Sequence, residues 1–494
     1  ADLLPKLQSD YLLPSQEDQR LKAKVSFKDL TLKSALFDPS ALEVGNLSTT
    51  LELRKKASAI AALDLTGLSI DNPHLQMSLA GTWASLEADP LGQVDLKGTI
   101  SQLSASHLHQ YLTPVTDDET RHWLRDALTK GQFNQVTLAL KGELSQFPFT
   151  QPGEQGVFEL KGQFKGLSVD YAPPQAKELS WPPLSEAIGQ LEIDKVSLAM
   201  QIDSGTVLGW KGERIAVQSI RAGIPNLLVK PILSIEARTQ GQAKDYLGLL
   251  RGTPLNAAMG NVFDQLGATG IWQVPLGLEI DLAQPEQAKV KGQIVLAGST
   301  VTLGEDQPAL ENIQGTLDFS NTVVRANQIA ARFLGGDVVI EGVVGEPGGK
   351  IIIEGNAVIA GMREYSNQPA FGAVKGRTKY RAQIAQNTKE GVDVVLNSSL
   401  EGLAITLPAP LGKTAQDKVP LALRWSTQKL KNDVRHSVSF SFGEILNGRF
   451  EKAAGSKGKA FFTQGAIAMG APAELPSRGL SLALVLEGID WNEW

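Results

Sequence analysis

The chain has 494 residues, 42% hydrophobic and 20% charged, with a formal net charge of -6 and no cysteine. That length allows two to four ordinary domains or one elongated one. The absence of thiols excludes disulfides, a cysteine nucleophile and thiolate metal sites; the acidic balance, with no basic cluster, argues against nucleic acid.

Position 1 is Ala, and "ADLLPKLQSD" does not read as a signal peptide. No apolar run of about 18 residues predicts a spanning helix. The chain is expected to be processed or cut from a longer one, and the strand-like "LSLALVLEGIDWNEW" at its end favours a cut.

Along the chain, one pattern recurs: apolar residues of one parity, polar residues of the other, and a glycine in the apolar row. Period two predicts half-buried strands. "LDLTG" ends at Gly67, and "LQMSLAGTW" aligns Leu75, Met77, Leu79, Gly81 and Trp83. "VDLKGTI" aligns Val94, Leu96, Gly98 and Ile100. In "SHLHQY", His107 and His109 would share a strand face; a metal is conceivable there, but a surface pair beside a turn is the plainer expectation.

"TDDETRHWLRDALTKG" predicts a helix over about 117–130. Thr116 and Glu119 form a capping box, Trp123, Leu124, Ala127 and Leu128 an apolar stripe, and Gly131 the stop. Asp117, Asp118 and Glu119 suit the helix's first turn and need no cation. "LALKGEL" then aligns Leu138, Leu140, Gly142 and Leu144, and "VFELKGQF" aligns Phe158, Leu160, Gly162 and Phe164. "FPF" (147–149) and "WPP" (181–183) read as aromatic–proline corners, at sheet edges or lining a sugar groove. "AKDYLGLLRGTPLNAAMGNVFDQL" predicts two short helices over about 243–266, broken at Gly252 and Pro254.

The strand pattern resumes with Val290, Gly292, Ile294 and Leu296, then Ile313, Gly315, Leu317 and Phe319. Val338, Ile340, Gly342 and Val344 follow, then Ile351, Ile353, Gly355, Ala357 and Ile359; Gly488 closes the series. The glycine spacing is irregular, which excludes a β-solenoid of fixed period. The expected fold is mainly β: a long, strongly curved antiparallel sheet with a few short helices. The in-row glycines are expected to form its crease or to permit close sheet packing. No nucleophile elbow, phosphate loop, dinucleotide turn or zinc-protease motif occurs, so no catalytic, metal or cofactor residue is expected.

The ordered motifs "YLTP" (111–114), "WLRDAL" (123–128), "GQFNQVTLALKGELSQFPF" (131–149), "VFELKGQFKGLSVDY" (157–171), "WPPL" (181–184), "LLRGTPL" (249–255), "VPLGLEIDL" (274–282), "IQGTLDF" and "LPAPLGK" (407–413) give the chain a likeness. It resembles the YhdP branch of the AsmA-like proteins of Gram-negative bacteria, most clearly over 75–425. Thr113 stands where an uninterrupted Tyr-Leu-Pro is expected. The resemblance implies a central piece of a bridge-like lipid transfer protein: 1–494 as one U-shaped groove, held in the periplasm and anchored to the inner membrane by a segment outside this chain. It implies phospholipid moving between inner and outer membranes, with unidentified membrane-protein partners. The apolar rows would line the groove, while Lys97, Lys141, Glu159 and Lys161 face water. About 25 to 30 strands at about 4.8 Å each would make a trough of roughly 120–145 Å. Two other readings stand beside this one: a structural or adhesin-like protein of tandem β-sandwiches, and a carbohydrate-active enzyme, for which no local pair of carboxylates stands out.

Overall fold

In the computed structural model the described residues are 8–9, 18–33, 41–56, 59–87, 89, 91–112, 118–171, 181–304, 307–365, 369–386, 391–430, 433–452 and 462–484. Thr113, Thr116, Asp117 and Gly488 lie outside them. The chain is mainly β, with 27 strands and a few short helices among the described residues. It divides into two compact units: Ala1–Gly241 with Gly248–Ala257 and Pro275–Val290, and Gln242–Leu247 with Ala258–Val274 and Lys291–Trp494.

The first unit is an antiparallel meander in which each strand pairs with the next. Its strands are β1 (Gln8–Ser9), β2 (Asp18–Lys33), β3 (Ala41–Lys56), β4 (Ala59–Asp71), β5 (Leu75–Ala84), β6 (Gln93–Ser104), β7 (Leu128–Glu143), β8 (Val157–Val169), β9 (Leu184–Asp194), β10 (Ser197–Leu208), β11 (Arg214–Ile224) and β12 (Ile232–Gln242). Turn chemistry sets the order. Between β4 and β5, Asn72 Oδ1 accepts from His74 N (2.8 Å) and Leu75 N (2.7 Å), while its Nδ2 donates to Val44 O (3.1 Å). One side chain thus closes the turn and ties it to β3.

In the second unit, β13 (Gly267–Thr269) pairs with β15 (Lys289–Thr302). A meander follows through β16 (Leu310–Ser320), β17 (Val323–Phe333), β18 (Gly336–Val344), β19 (Lys350–Val358), β20 (Val374–Gln386) and β21 (Val392–Ser398). Short β22 (Leu403–Ile405) pairs back on β20, while β23 (Leu421–Leu430), β24 (Asp433–Phe442), β25 (Leu446–Lys452) and β26 (Gln464–Met469) continue the series. β27 (Gly479–Leu484) joins β26 in parallel. β14 (Ile271–Asp281) carries residues of both units.

Bends come from bulges. In strand after strand the register slips, and a left-handed residue sits at a slip: Asp29 (φ 54°) in β2, Gln135 (φ 52°) in β7, Gly166 (φ 66°) in β8, Asn312 (φ 48°) in β16 and Gln328 (φ 50°) in β17. A bulge bends the strand and adds twist. It also switches the inward parity. On β8 the apolar row runs Phe158, Leu160, Gly162, Phe164 and then Leu167, Val169; on β7 it runs Phe133 and then Val136, Leu138, Leu140.

Gly67 (φ 62°) sits at the slip of β4 between Leu65 and Leu68, whereas Gly162 and Gly315 lie beside bulges of the neighbouring strand. A Cβ on Gly162 would lie 2.7 Å from Val136 Cγ2, just past the Gln135 bulge; one on Gly315 would lie 2.8 Å from Ile329 Cδ1, just past the Gln328 bulge. Each of these two glycines is a socket for a side chain that the neighbouring bulge pushes across the row.

Several local expectations change. The first long helix, α2, spans Asp118–Ala127, and Leu128 already begins β7; Trp123 is 43% exposed, so it leaves the expected apolar stripe. His107 ends a 3-10 turn (Ala105–His107) and His109 lies in α1 (Leu108–Tyr111), not on a strand. Leu144 opens a 3-10 turn, Leu144–Gln146. α3 (Ala243–Arg251) and α4 (Pro254–Ala258) match the expected broken pair. Ile359 starts α5 (Ile359–Tyr365) instead of extending the strand.

Candidate functional site

The apolar rows join from strand to strand because the register brings them opposite one another. In the first unit Ala23, Leu51, Leu65, Gly81, Leu96, Leu140 and Phe158 form one line across seven strands, β2 to β8. A second line runs Leu79, Gly98, Leu138, Leu160, Ile193 and Leu198. In the second unit Ile294, Leu317, Ala326, Gly342, Ile351, Ile384, Val394, Trp425, Val438 and Phe450 line up across β15 to β25. Beside it run Ile340, Ile353, Ala382, Leu396, Leu423 and Phe440.

Burial grades across these rows. Leu75, Val94, Phe164, Leu296, Ile313 and Val338 are buried and offer almost no surface. Met77, Leu79, Leu96, Ile100, Leu138, Leu140, Leu144, Phe158, Leu160, Val290, Ile294, Leu317, Phe319, Ile340, Ile351 and Ile353 are half-buried. Val344 is 41% exposed. The half-buried members keep part of their surface accessible.

The deep members gather where the strands bend. Leu75, Leu103, Phe133, Val136, Phe164 and Leu167 belong to one buried cluster in the first unit, with Leu108 and Tyr111 of α1 and Leu124 of α2 against it. The helices therefore cover the strand ends on one rim. Tyr111 adds a hydrogen bond from its hydroxyl to Asn72 Oδ1 (3.3 Å). Beside it His107 stacks on His74, ring centres 3.5 Å apart; burial, then the charges of His74 and His109, hold the His107 imidazole below its ordinary pKa, against a pull from Glu43. The second unit has its own rim cluster, in which Met362 of α5 packs against Ile359, Leu400, Leu403 and Phe442.

The other parity faces water and pairs charge. Lys141 meets Asp95 at 3.0 Å and Lys161 meets Glu192 at 3.1 Å. The Glu192 hydrogen bond, with the charges of Glu159 and Glu192, raises the Lys161 pKa. Lys97 is exposed and Glu159 is half-exposed on the same face.

The row reading did not single out Phe133, Val136, Leu167, Ala187, Ile202 and Val217 of the buried cluster; Phe133 and Leu167 are out of step with their rows because a bulge intervenes. Their signal was present: apolar residues three apart, as in Phe133 and Val136, within a run otherwise alternating by two.

Aliphatic side chains run in half-buried rows on one face of the sheet, with ion pairs on the other. The family model described as YhdP protein matches residues 11–494, so the chain belongs to the YhdP family. Neither a curated protein nor a solved structure matches it. Membership points to AsmA-like lipid transport in the bacterial envelope, in a family not known for catalysis. Among the described residues, no helix is long and apolar enough to cross a membrane.

Proposed function

We propose that the apolar rows of each unit carry the acyl chains of phospholipids travelling between the inner and outer membranes, in support of outer-membrane integrity. On this reading the chain works as part of a periplasmic bridge anchored to the inner membrane by a segment outside it. The observation that carries the reading is the register that sets half-buried Leu and Phe directly opposite one another across strands, as in Leu96, Leu140 and Phe158.

Energetics support it. Hydrocarbon leaving water gains about 0.8 kcal/mol per CH₂, so a tail of roughly 16 carbons gains on the order of 12 kcal/mol. Escape to water is steeply uphill. A step from one strand to the next exchanges similar contacts, as from Leu138 to Leu160, which are direct partners. The polar headgroup keeps its water because the row is open on one side.

The test is photo-crosslinking in living cells. Crosslinkers at Leu140 and Leu160 are expected to capture phospholipid, and those at Lys141 and Lys161 are not. Capture that does not depend on parity sinks the reading. Mass spectrometry of lipid extracted from the purified chain then names the headgroup.

A further inference from the structure

A recess of about 710 Å³ opens on the second unit, lined by Arg424, Ser439, Ser441, Asn447 and Arg449, with Leu423 and Phe440 of the apolar row also touching it. Register sets its floor. Arg424 lies directly across from Ser439, and Ser439 directly across from Arg449. Two arginines thus stand on the strands either side of one serine, and Ser441 and Asn447 pair in the adjoining row. Residues 470–473 stand over the floor as a wall: Asn447 Nδ2 donates to Ala471 O (3.1 Å), and Gly470 N to Ile445 O (3.2 Å).

Each arginine is tethered by a carboxylate on its own face, Asp393 on the neighbouring strand β21 and Glu451 two residues along β25. Arg424 Nη2 donates to Asp393 Oδ2 at 2.8 Å, and Arg449 Nη2 to Glu451 Oε1 at 3.0 Å. The carboxylates are the sunken partners, with side chains 24% and 23% exposed against 61% and 52% for the arginines. A guanidinium has five N–H donors. One is spent on the carboxylate, and others are presented outward in a fixed plane.

We propose that this recess is a binding site for a phosphodiester, seated over Ser439 between Arg424 and Arg449. The two arginines start from strands roughly 10 Å apart, two inter-strand spacings, so their long side chains can converge on one group. A phosphate presents enough oxygens for both guanidiniums and the hydroxyl, whereas a carboxylate has two. Asp393, Glu451 and Glu444, which also lines the recess, keep the local charge from being positive. Affinity therefore rests on directed hydrogen bonds, which suits a singly charged or zwitterionic diester better than a polyanion. The diester can belong to a lipid headgroup or to a soluble glycerophosphodiester.

The probes are glycerophosphoethanolamine, by calorimetry, and vesicles of phosphatidylethanolamine and phosphatidylglycerol, by flotation. Wild type is expected to bind at least one of them. Arg424→Gln and Arg449→Gln should each weaken binding about tenfold, and Ser439→Asp should abolish it by placing a charge where the phosphate sits. Binding of the soluble probe assigns the site to free diesters, and binding of vesicles alone assigns it to headgroups. No saturable binding of either, or binding indifferent to all three substitutions, overturns the proposal. Unchanged thermal melts show that the variants fold. Acyl-chain load is measured on the same samples: its absence from wild type sinks the transport reading and leaves this site standing.

Discussion

Replacing Gly162 with alanine tests whether in-row glycines are sockets for side chains displaced by a neighbouring bulge. The new Cβ would sit 2.7 Å from Val136 Cγ2, 3.2 Å from its Cβ and 3.3 Å from its Cα. Val136 is 3% exposed, inside the cluster that includes Phe133, Phe164 and Leu167. Its side chain has no open direction, and its Cα is fixed by pairing across from Ile100. Overpacking of this kind costs about 1–3 kcal/mol. For a unit of this size that lowers the melting temperature by about 2–12 °C. Val136→Ala alone also destabilises, by leaving a cavity. The decisive measurement is the double variant. If the clash is the cause, removing the Val136 methyls relieves it, and the pair is less destabilised than the sum by about 1 kcal/mol. A Gly162→Ala melt within about 1 °C of wild type, or strict additivity in the double variant, refutes the socket.

Two further outcomes follow from the rim clusters. His107 has a folded-state pKa below its ordinary value, so the unfolded chain binds its proton more readily; stability is intact above about pH 6.5 and falls as pH drops through the folded value. Thermal melts at neutral and mildly acidic pH should show a loss that is smaller in His107→Gln, and an equal loss in both proteins contradicts this. Lys413 is buried and its Nζ donates to Leu400 O (2.9 Å), Leu403 O (2.5 Å) and Thr414 O (2.8 Å). Lys413→Met keeps the stem but strands these carbonyls, which should cost about 2–5 kcal/mol and speed amide exchange around 400–405; unchanged exchange there counts against it.

The strands were legible because their outward and inward residues differ in kind: Lys97 and Lys141 alternate with Leu96 and Leu140 along the chain. The bends were not, for a physical reason. A bulge places apolar residues three apart, the spacing that also marks one face of a helix, so Phe133 and Val136 carry two meanings until pairing is known. The same ambiguity worked in reverse at "SHLHQY", where alternating histidines suggested a strand and one turn of helix formed. The phosphodiester recess was hidden more deeply. Arg424, Ser439 and Arg449 share no local motif and meet only through the register of β23, β24 and β25.

The glycines connect the bends to the proposed traffic. A row in which every position carried a large side chain would be ridged, because each bulge crowds its neighbour. With Gly98, Gly162, Gly315 and Gly355 in the row, the adjoining Leu79, Val136, Ile329 and Val338 lie down across the vacant Cβ positions. Their side chains fill the dips between strands: Val136, Ile329 and Val338 are buried in doing so, and Leu79 is half-buried. Along such a surface a hydrocarbon chain loses little contact at any intermediate position, since dispersion contacts are individually small and many are kept at once. Holding strength and ease of sliding therefore come from different features. Total apolar area retains the tail. On the proposed reading, the levelling of that area by glycine sockets would keep the barrier between neighbouring positions low, and widening the sockets' occupants should slow movement before it weakens retention.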